Sequence, residues 1–191
     1  MLTFRGGFAN GREGTLMAGV YEDHFRMFAL YSRWANAQLY KAVATVPEQA
    51  LAQDRGAYFK SLLGTLNHLL VADGMWLGRL QGNSPRGVRL DEILHPTFEP
   101  LAAARAARDA DIIAHVFALQ EPQFTAPLTY ATTAGTAQTQ PLHHILAHVF
   151  NHQTHHRGQA HDLLCQIAGV EAVPVIDLVA YQRYVMKDDA V

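Results

Sequence analysis

The sequence predicts an all-α protein: a four-helix bundle with a short β-hairpin inserted before the fourth helix and a short C-terminal helix. Three observations support this fold class. Four segments carry apolar residues at three- and four-residue steps, the spacing of an amphipathic helix. Proline and glycine residues separate these segments, and 191 residues are enough to bury one full core. In such a bundle, side chains from facing helices meet in the interior.

The first three helices are predicted from their apolar spacing and their ends. The first runs over residues 21–46 on Phe25, Phe28, Tyr31, Ala35, Leu39 and Val43. Pro47 ends it, since the residue before a proline disfavours helical geometry. The second runs over 61–80 and stops in the turn-forming segment 81–85. The third, over 100–119, is rich in alanine and arginine, which favour helices.

The C-terminal half predicts a hairpin and two more helices. Over 123–140, threonine, tyrosine and alanine alternate around Gly135, which indicates a hairpin. The fourth long helix, 141–168, begins on a proline, which suits a first helical turn. Gly169 is a plausible C-cap. A short helix over 176–186 is expected to pack on the outside of the bundle.

The chain is expected to form one domain over residues 17–191. Residues 1–16 are glycine-rich and lack periodicity, so we expect a loose N-terminal tail, with Met17 as an alternative start. No linker divides the rest of the sequence. The single Cys165 cannot form an internal disulfide, and its apolar surroundings indicate a buried thiol in a reducing compartment.

The charge and hydropathy patterns exclude two classes of partner. Fifteen basic and seventeen acidic residues are dispersed without a basic stripe, so no nucleic-acid partner is expected. No apolar run approaches the ~20 residues that cross a bilayer, so no membrane insertion is expected. The start lacks the apolar stretch of a signal peptide, which predicts a cytoplasmic protein.

Histidines are the main chemical signal. The chain has eleven, and seven of them lie between His143 and His161. Spacing of four places two imidazoles on one helical face, close enough to chelate one ion. Three successive pairs have this spacing: His144 with His148, His148 with His152, and His152 with His156.

The apolar stripe of the fourth helix indicates which pair faces the interior. Winding the helix at about 100° per residue places His156 within the stripe and His152 at its edge. The other histidines of the segment fall outside it: His144, His148 and His155 on the next sector, His143 and His161 on another. The stripe consists of Leu142, Ile145, Leu146, Val149, Ala160, Leu163, Leu164 and Ile167. A surface histidine cluster remains the alternative to a metal site.

His68 of the second helix is the best candidate for a third ligand, because two histidines are too few for a durable site. Its neighbours one turn away, Gly64, Thr65 and Ala72, are small enough to leave room for an ion. The alternative is a structural histidine satisfied within its helix. Zinc proteases place a glutamate base after the first helical histidine, whereas this chain has Gln153 there, so peptidase chemistry is disfavoured. The sequence identifies no other general base and no nucleophilic triad.

Three segments carry a family resemblance. YSRWANAQLY (31–40), SLLGTLNHLLVADGMWL (61–77) and HVFNHQTHHRGQ (148–159) resemble the DinB/YfiT-like family of bacterial metalloenzymes. The resemblance implies a four-helix bundle, usually a homodimer, that holds one divalent metal ion, often zinc or nickel. By motif, the implied ligands are His68, His152 and His156. Several relatives are S-transferases that use bacillithiol or mycothiol, and others have no assigned reaction.

Five further positions match the family pattern: Trp34, Asn36, Asp73, Arg157 and Gln159. For Trp34 core packing is the simplest interpretation. Asp73 either orients a ligating imidazole or occupies a polar gap in the core.

The three histidines, together with what the resemblance implies, predict a metal-dependent enzyme that activates a low-molecular-weight thiol for transfer to an electrophilic substrate. Three imidazoles leave a divalent ion with open positions, as in catalytic sites. A bound ion lowers the pKa of a thiol or a water near it. The alternatives are a metal-dependent hydrolase of an amide, ester or lactone, and a non-catalytic metal-binding stress-response module.

Overall fold

The computed structural model describes residues 19–186. The predicted tail over 1–16 lies outside this range. The elements in chain order are helices α1 (Val20–Val43), α2 (Glu48–Leu51), α3 (Leu62–Leu80), α4 (Phe98–Ala118) and α5 (Glu121–Thr125), strands β1 (Pro127–Ala131) and β2 (Ala137–Pro141), helix α6 (Leu142–Ala168), a 3-10 turn (Val170–Ala172) and helix α7 (Leu178–Tyr184). The predicted fold class is confirmed.

The ends of the helices follow the local sequence closely. Ser61 caps α3, because its hydroxyl accepts a hydrogen bond from the Gly64 amide. Gly169 adopts φ 83° at the end of α6, a conformation that favours glycine. Helix α1 ends at Val43, three residues earlier than predicted, and turns through 44–46 before Pro47. The short helices α2 and α5 were not predicted, since four or five residues show no helical periodicity.

The four long helices form the bundle. Helices α1 and α3 each pack against both α4 and α6. Two apolar clusters fill the interior. One lies toward the end of α1 and includes Leu39, Leu66 and Leu101. The other lies toward its start and includes Phe25 and Phe150. Each long helix passes from one cluster to the other, so its middle section lies between two apolar layers.

The hairpin and α7 cover the outside of the bundle. Strands β1 and β2 pair antiparallel with Thr129 opposite Thr139, and Gly135 turns between them with φ 87°. The predicted hairpin is therefore confirmed. Helix α7 buries Tyr181 against the rings of Tyr31 and Trp34, with centroid distances of 5.8 and 5.6 Å. Packing thus accounts for Trp34. None of the helices within residues 19–186 is long and apolar enough to span a bilayer.

Candidate metal centre

Helices α3 and α6 bring three histidines together. His68 lies in the middle of α3 and is 3 % exposed. His152 and His156 lie one turn apart on α6 and are half-buried. Their ring centroids form a compact triangle, with distances of 5.2 Å for His68 and His152, 4.4 Å for His68 and His156, and 4.4 Å for His152 and His156. The sequence prediction had selected these three imidazoles.

The nitrogens of these rings are close enough to share one ion. One candidate ligand nitrogen from each ring lies within 4.8 Å of the other two. Nε2 of His68 and Nε2 of His152 are 3.3 Å apart. Two nitrogens at about 2.0–2.1 Å from a tetrahedral zinc ion are separated by about 3.3 Å. The closest pair is therefore already at the spacing that a shared ion requires.

Hydrogen bonds fix two of the rings in the tautomer that a metal needs. Nδ1 of His68 lies 2.7 Å from the Leu90 carbonyl oxygen, and Nδ1 of His156 lies 2.7 Å from Oε1 of Gln159. Because both partners are oxygens that accept, each Nδ1 donates, and a neutral ring keeps its lone pair on Nε2. Gln159, whose role the sequence did not reveal, thus orients His156.

The environment favours neutral imidazoles. Burial, with a smaller contribution in the same direction from the adjacent His156 and His68, lowers the pKa of His152 to about 3. Burial likewise lowers the pKa of His68, and that of His156, although the hydrogen-bond partners of the two rings oppose the shift. Neutral imidazole is the form that coordinates a metal.

Phe59 covers the site from the loop before α3. Its ring stacks on His68 with the centroids 3.8 Å apart and lies 5.5 Å from the ring of His156. A side chain at Gly64 would overlap the backbone carbonyl oxygen of Phe59. Gly64 therefore makes room for this loop. The sequence interpretation had assumed that it leaves room for an ion. Phe59 itself was missed, because no periodic pattern marks a loop aromatic.

Behind the histidines, a buried polar network joins all four long helices. Nη1 of Arg105 lies 2.6 Å from Asp73, and its Nη2 lies 2.9 Å from Asp109. The amide of Gln153 donates to Asp73 at 3.0 Å, and that of Asn36 donates to Asp109 at 3.0 Å. This network lies at the level between the two apolar clusters.

The network settles several roles that the sequence left open. Asp73 bonds to Arg105 and Gln153 and, within residues 19–186, has no hydrogen bond to an imidazole, so it fills a polar layer of the core. Its charge opposes the lowering of the pKa of His156, but less strongly than burial lowers that pKa, and this is the smallest of the contributions. Gln153 is 1 % exposed and faces Asp73. Arg157 is equally buried, with its guanidinium 5.1 Å from the ring of Tyr31.

The other histidines of α6 lie outside the triangle. His144, His148 and His155 are exposed. Nδ1 of His143 donates to the Phe124 carbonyl, and Nε2 of His161 lies 3.1 Å from the Pro174 carbonyl. Cys165, predicted to be buried, is partly exposed, and its sulfur lies 3.9 Å from Nδ1 of His161.

A cavity of about 380 Å³ opens beside the triangle. His152 forms part of its wall, and so does Leu90, whose carbonyl oxygen accepts from His68. The remaining lining includes Trp76, Arg79 and Tyr130. The site therefore has space for an organic molecule next to the nitrogens that could hold an ion.

The chain is similar to known proteins over most of its length. The model of the DinB family matches residues 21–187. Protein DinB of Bacillus subtilis (strain 168) is 26 % identical over 151 residues, which cover 75 % of this chain and 86 % of the relative. Residues 21–187, which the family model matches, contain all three histidines of the triangle.

Proposed function

Since the chain belongs to the DinB family, we propose that it is a metal-dependent enzyme in which His68, His152 and His156 hold one divalent ion, zinc or nickel. The proposed reaction is transfer of a low-molecular-weight thiol to an electrophilic substrate. The observation that carries the proposal is the convergence of three imidazole nitrogens within 4.8 Å of one another.

The donor set fits a catalytic ion better than a structural one. Structural zinc is normally closed by four protein ligands, whereas three imidazoles leave positions open. Among residues 19–186, no cysteine or carboxylate joins this group of histidines as a fourth ligand. A bound divalent ion would supply a Lewis acid that lowers the pKa of a thiol or water.

The residues around the triangle prepare it for this chemistry. Leu90 and Gln159 hold His68 and His156 with Nδ1 donating, which leaves Nε2 of each ring as the metal-binding atom. Phe59 packs on His68 and limits water on one side. The cavity on the side of His152 provides space for the substrate.

Two other functions are compatible with the same triangle. Metal-assisted hydrolysis would use a water in the place of the thiol. A module that only binds metal would have no need of a cavity for an organic molecule beside the ion, so the space next to His152 favours an enzyme. Thiol conjugation and hydrolysis, assayed on one metal-loaded sample, distinguish the two enzymatic functions.

The metal site is tested by elemental analysis of protein purified without a nickel column. The wild type should carry about one divalent ion per chain, and His156→Ala should lose most of it because two imidazoles bind weakly. His143→Ala is the matched control, since that ring bonds to a carbonyl outside the triangle. Equal metal content in the two variants contradicts the proposed site.

A further inference from the structure

Arg79 is a largely buried cation that has no partner of opposite charge in the described part of the chain. It is 4 % exposed on α3. Its guanidinium carbon lies 4.4 Å from the ring centroid of Trp76 and 5.2 Å from that of Tyr130. Within residues 19–186 its side chain has no carboxylate and no hydrogen-bond acceptor, and its Nε is fully buried and unpaired. Arg105, by contrast, lies between two carboxylates.

An unpaired buried charge is costly, so its retention calls for an explanation. Nε of this guanidinium is shielded from water and has no hydrogen bond to replace its hydration, while the group as a whole lines the cavity, so its desolvation costs less than the several kcal/mol of a fully buried ion. The two aromatic rings return only about 1–2 kcal/mol each through cation–π attraction. The guanidinium is therefore prepared for an anion that the described chain does not itself supply.

Arg79 lines the same cavity as His152. The wall between them includes His148, whose ring lies 4.9 Å from that of Trp76 and 5.8 Å from that of His152. Thr132 and Thr133 of the hairpin turn also line the cavity and offer hydroxyl groups. One molecule in this cavity can thus contact both the metal-binding triangle and the guanidinium.

We propose that this cavity binds a small-molecule substrate by a carboxylate group, with Arg79 as the anchor. The planar guanidinium matches a carboxylate with two parallel hydrogen bonds, and the rings of Trp76 and Tyr130 hold its plane. The substrate of the proposed reaction is then an anion. This inference rests on the proposed function, because it assigns the substrate class of the same site.

The test compares two thiols that differ only in the group opposite the sulfur, which is a carboxylate in one and an alcohol in the other. Zinc-loaded protein is titrated calorimetrically with 3-mercaptopropionate and with 3-mercaptopropan-1-ol. A hydrogen-bonded charge pair is worth about 1.5–3 kcal/mol, which corresponds to roughly ten- to a hundredfold in affinity. The wild type should therefore bind the carboxylate at least tenfold more tightly than the alcohol.

Substitutions assign this preference to the guanidinium. Arg79→Gln should remove the preference and leave the affinity for the alcohol within about twofold, while Arg79→Lys should keep part of it because the charge remains. Arg86→Gln is the matched control, as Arg86 is exposed and not among the residues that line the cavity. It should leave both affinities unchanged.

The zinc content and the two titrations distinguish a failure of the proposed function from a failure of the role of Arg79. Zinc content is measured on each sample before the titration. A wild-type protein that does not retain zinc refutes the metal site itself. A zinc-loaded wild type that binds the two thiols equally, or binds neither, overturns the role of Arg79, and this comparison needs no variant to fold.

Discussion

Asp73→Asn tests the polar layer behind the histidines. The Asp73 side chain is 1 % exposed and pairs with Arg105, whose side chain is 3 % exposed. The substitution keeps the shape of the side chain and one acceptor oxygen, and it removes the negative charge. Arg105 then has one carboxylate, Asp109, where it had two.

The expected decrease in the free energy of unfolding follows from the burial of this pair. Removing one partner of a buried ion pair costs about 3–5 kcal/mol, because the other charge is left uncompensated. Here Asp109 remains beside Arg105. Asp73 also raises the pKa of Asp109, a smaller contribution than burial, so its removal favours the ionised form of Asp109. We therefore expect the lower end, about 3 kcal/mol, out of a total of about 5–15 kcal/mol for a domain.

Urea unfolding, followed by far-UV circular dichroism at pH 7 on chelator-treated protein, measures this loss. Asp111→Asn on α4 is the matched control. Its side chain is 59 % exposed and lies 3.8 Å from Arg108, so the substitution should lower the free energy of unfolding by less than about 1 kcal/mol. If the two variants lose the same free energy of unfolding, the buried network does not contribute to stability as described.

Two further predictions concern the surroundings of the triangle. Gly64→Ala should cost about 1–3 kcal/mol and weaken metal binding, because its methyl group would displace the Phe59 carbonyl. Gly158→Ala, where a methyl group meets open space in helix α6, should be neutral or stabilising by up to about 1 kcal/mol in the same urea titration. In the metal-free protein the pKa of His152 is lowered to about 3, whereas the unfolded chain binds this proton near the ordinary value. The contribution of neutral His152 to stability is thus fully present above about pH 6.5 and is lost as the pH falls toward 3. In a plot of unfolding free energy against pH, His152→Asn should make this decline less steep.

The helices and the histidine triangle were predictable because their signals are local. Apolar residues at three- and four-residue spacing indicate the four long helices. The spacing of four between His152 and His156 indicates that they share a face of α6. The third member, His68, is 84 residues away from His152. It was selected for its place in the second predicted helix and for its small neighbours, and the family motif then implied the same residue.

The polar layer could not be read from the sequence, for a physical reason. Gln153 and Arg157 continue the buried face of α6, yet polar residues at such positions look like interruptions of an apolar stripe. Their hydrogen bonds to other helices go to Asp73 and Asn36, which are 80 and 121 residues away. Such pairings are set by tertiary packing, and one sequence does not display them.

Charge balance around the triangle extends the argument for an anionic ligand from Arg79 to the groups around it. Within the buried network, Asp73 and Asp109 offset Arg105 and Arg157, so these four charges sum to zero. The three imidazoles of the triangle are neutral in the form that binds a metal. Arg79 then adds an unpaired positive charge at the wall of the adjoining cavity. A divalent ion held by the triangle would, like this guanidinium, be left uncompensated by the neighbouring groups named here. A cavity with two such cations would select negatively charged molecules over neutral ones of the same shape.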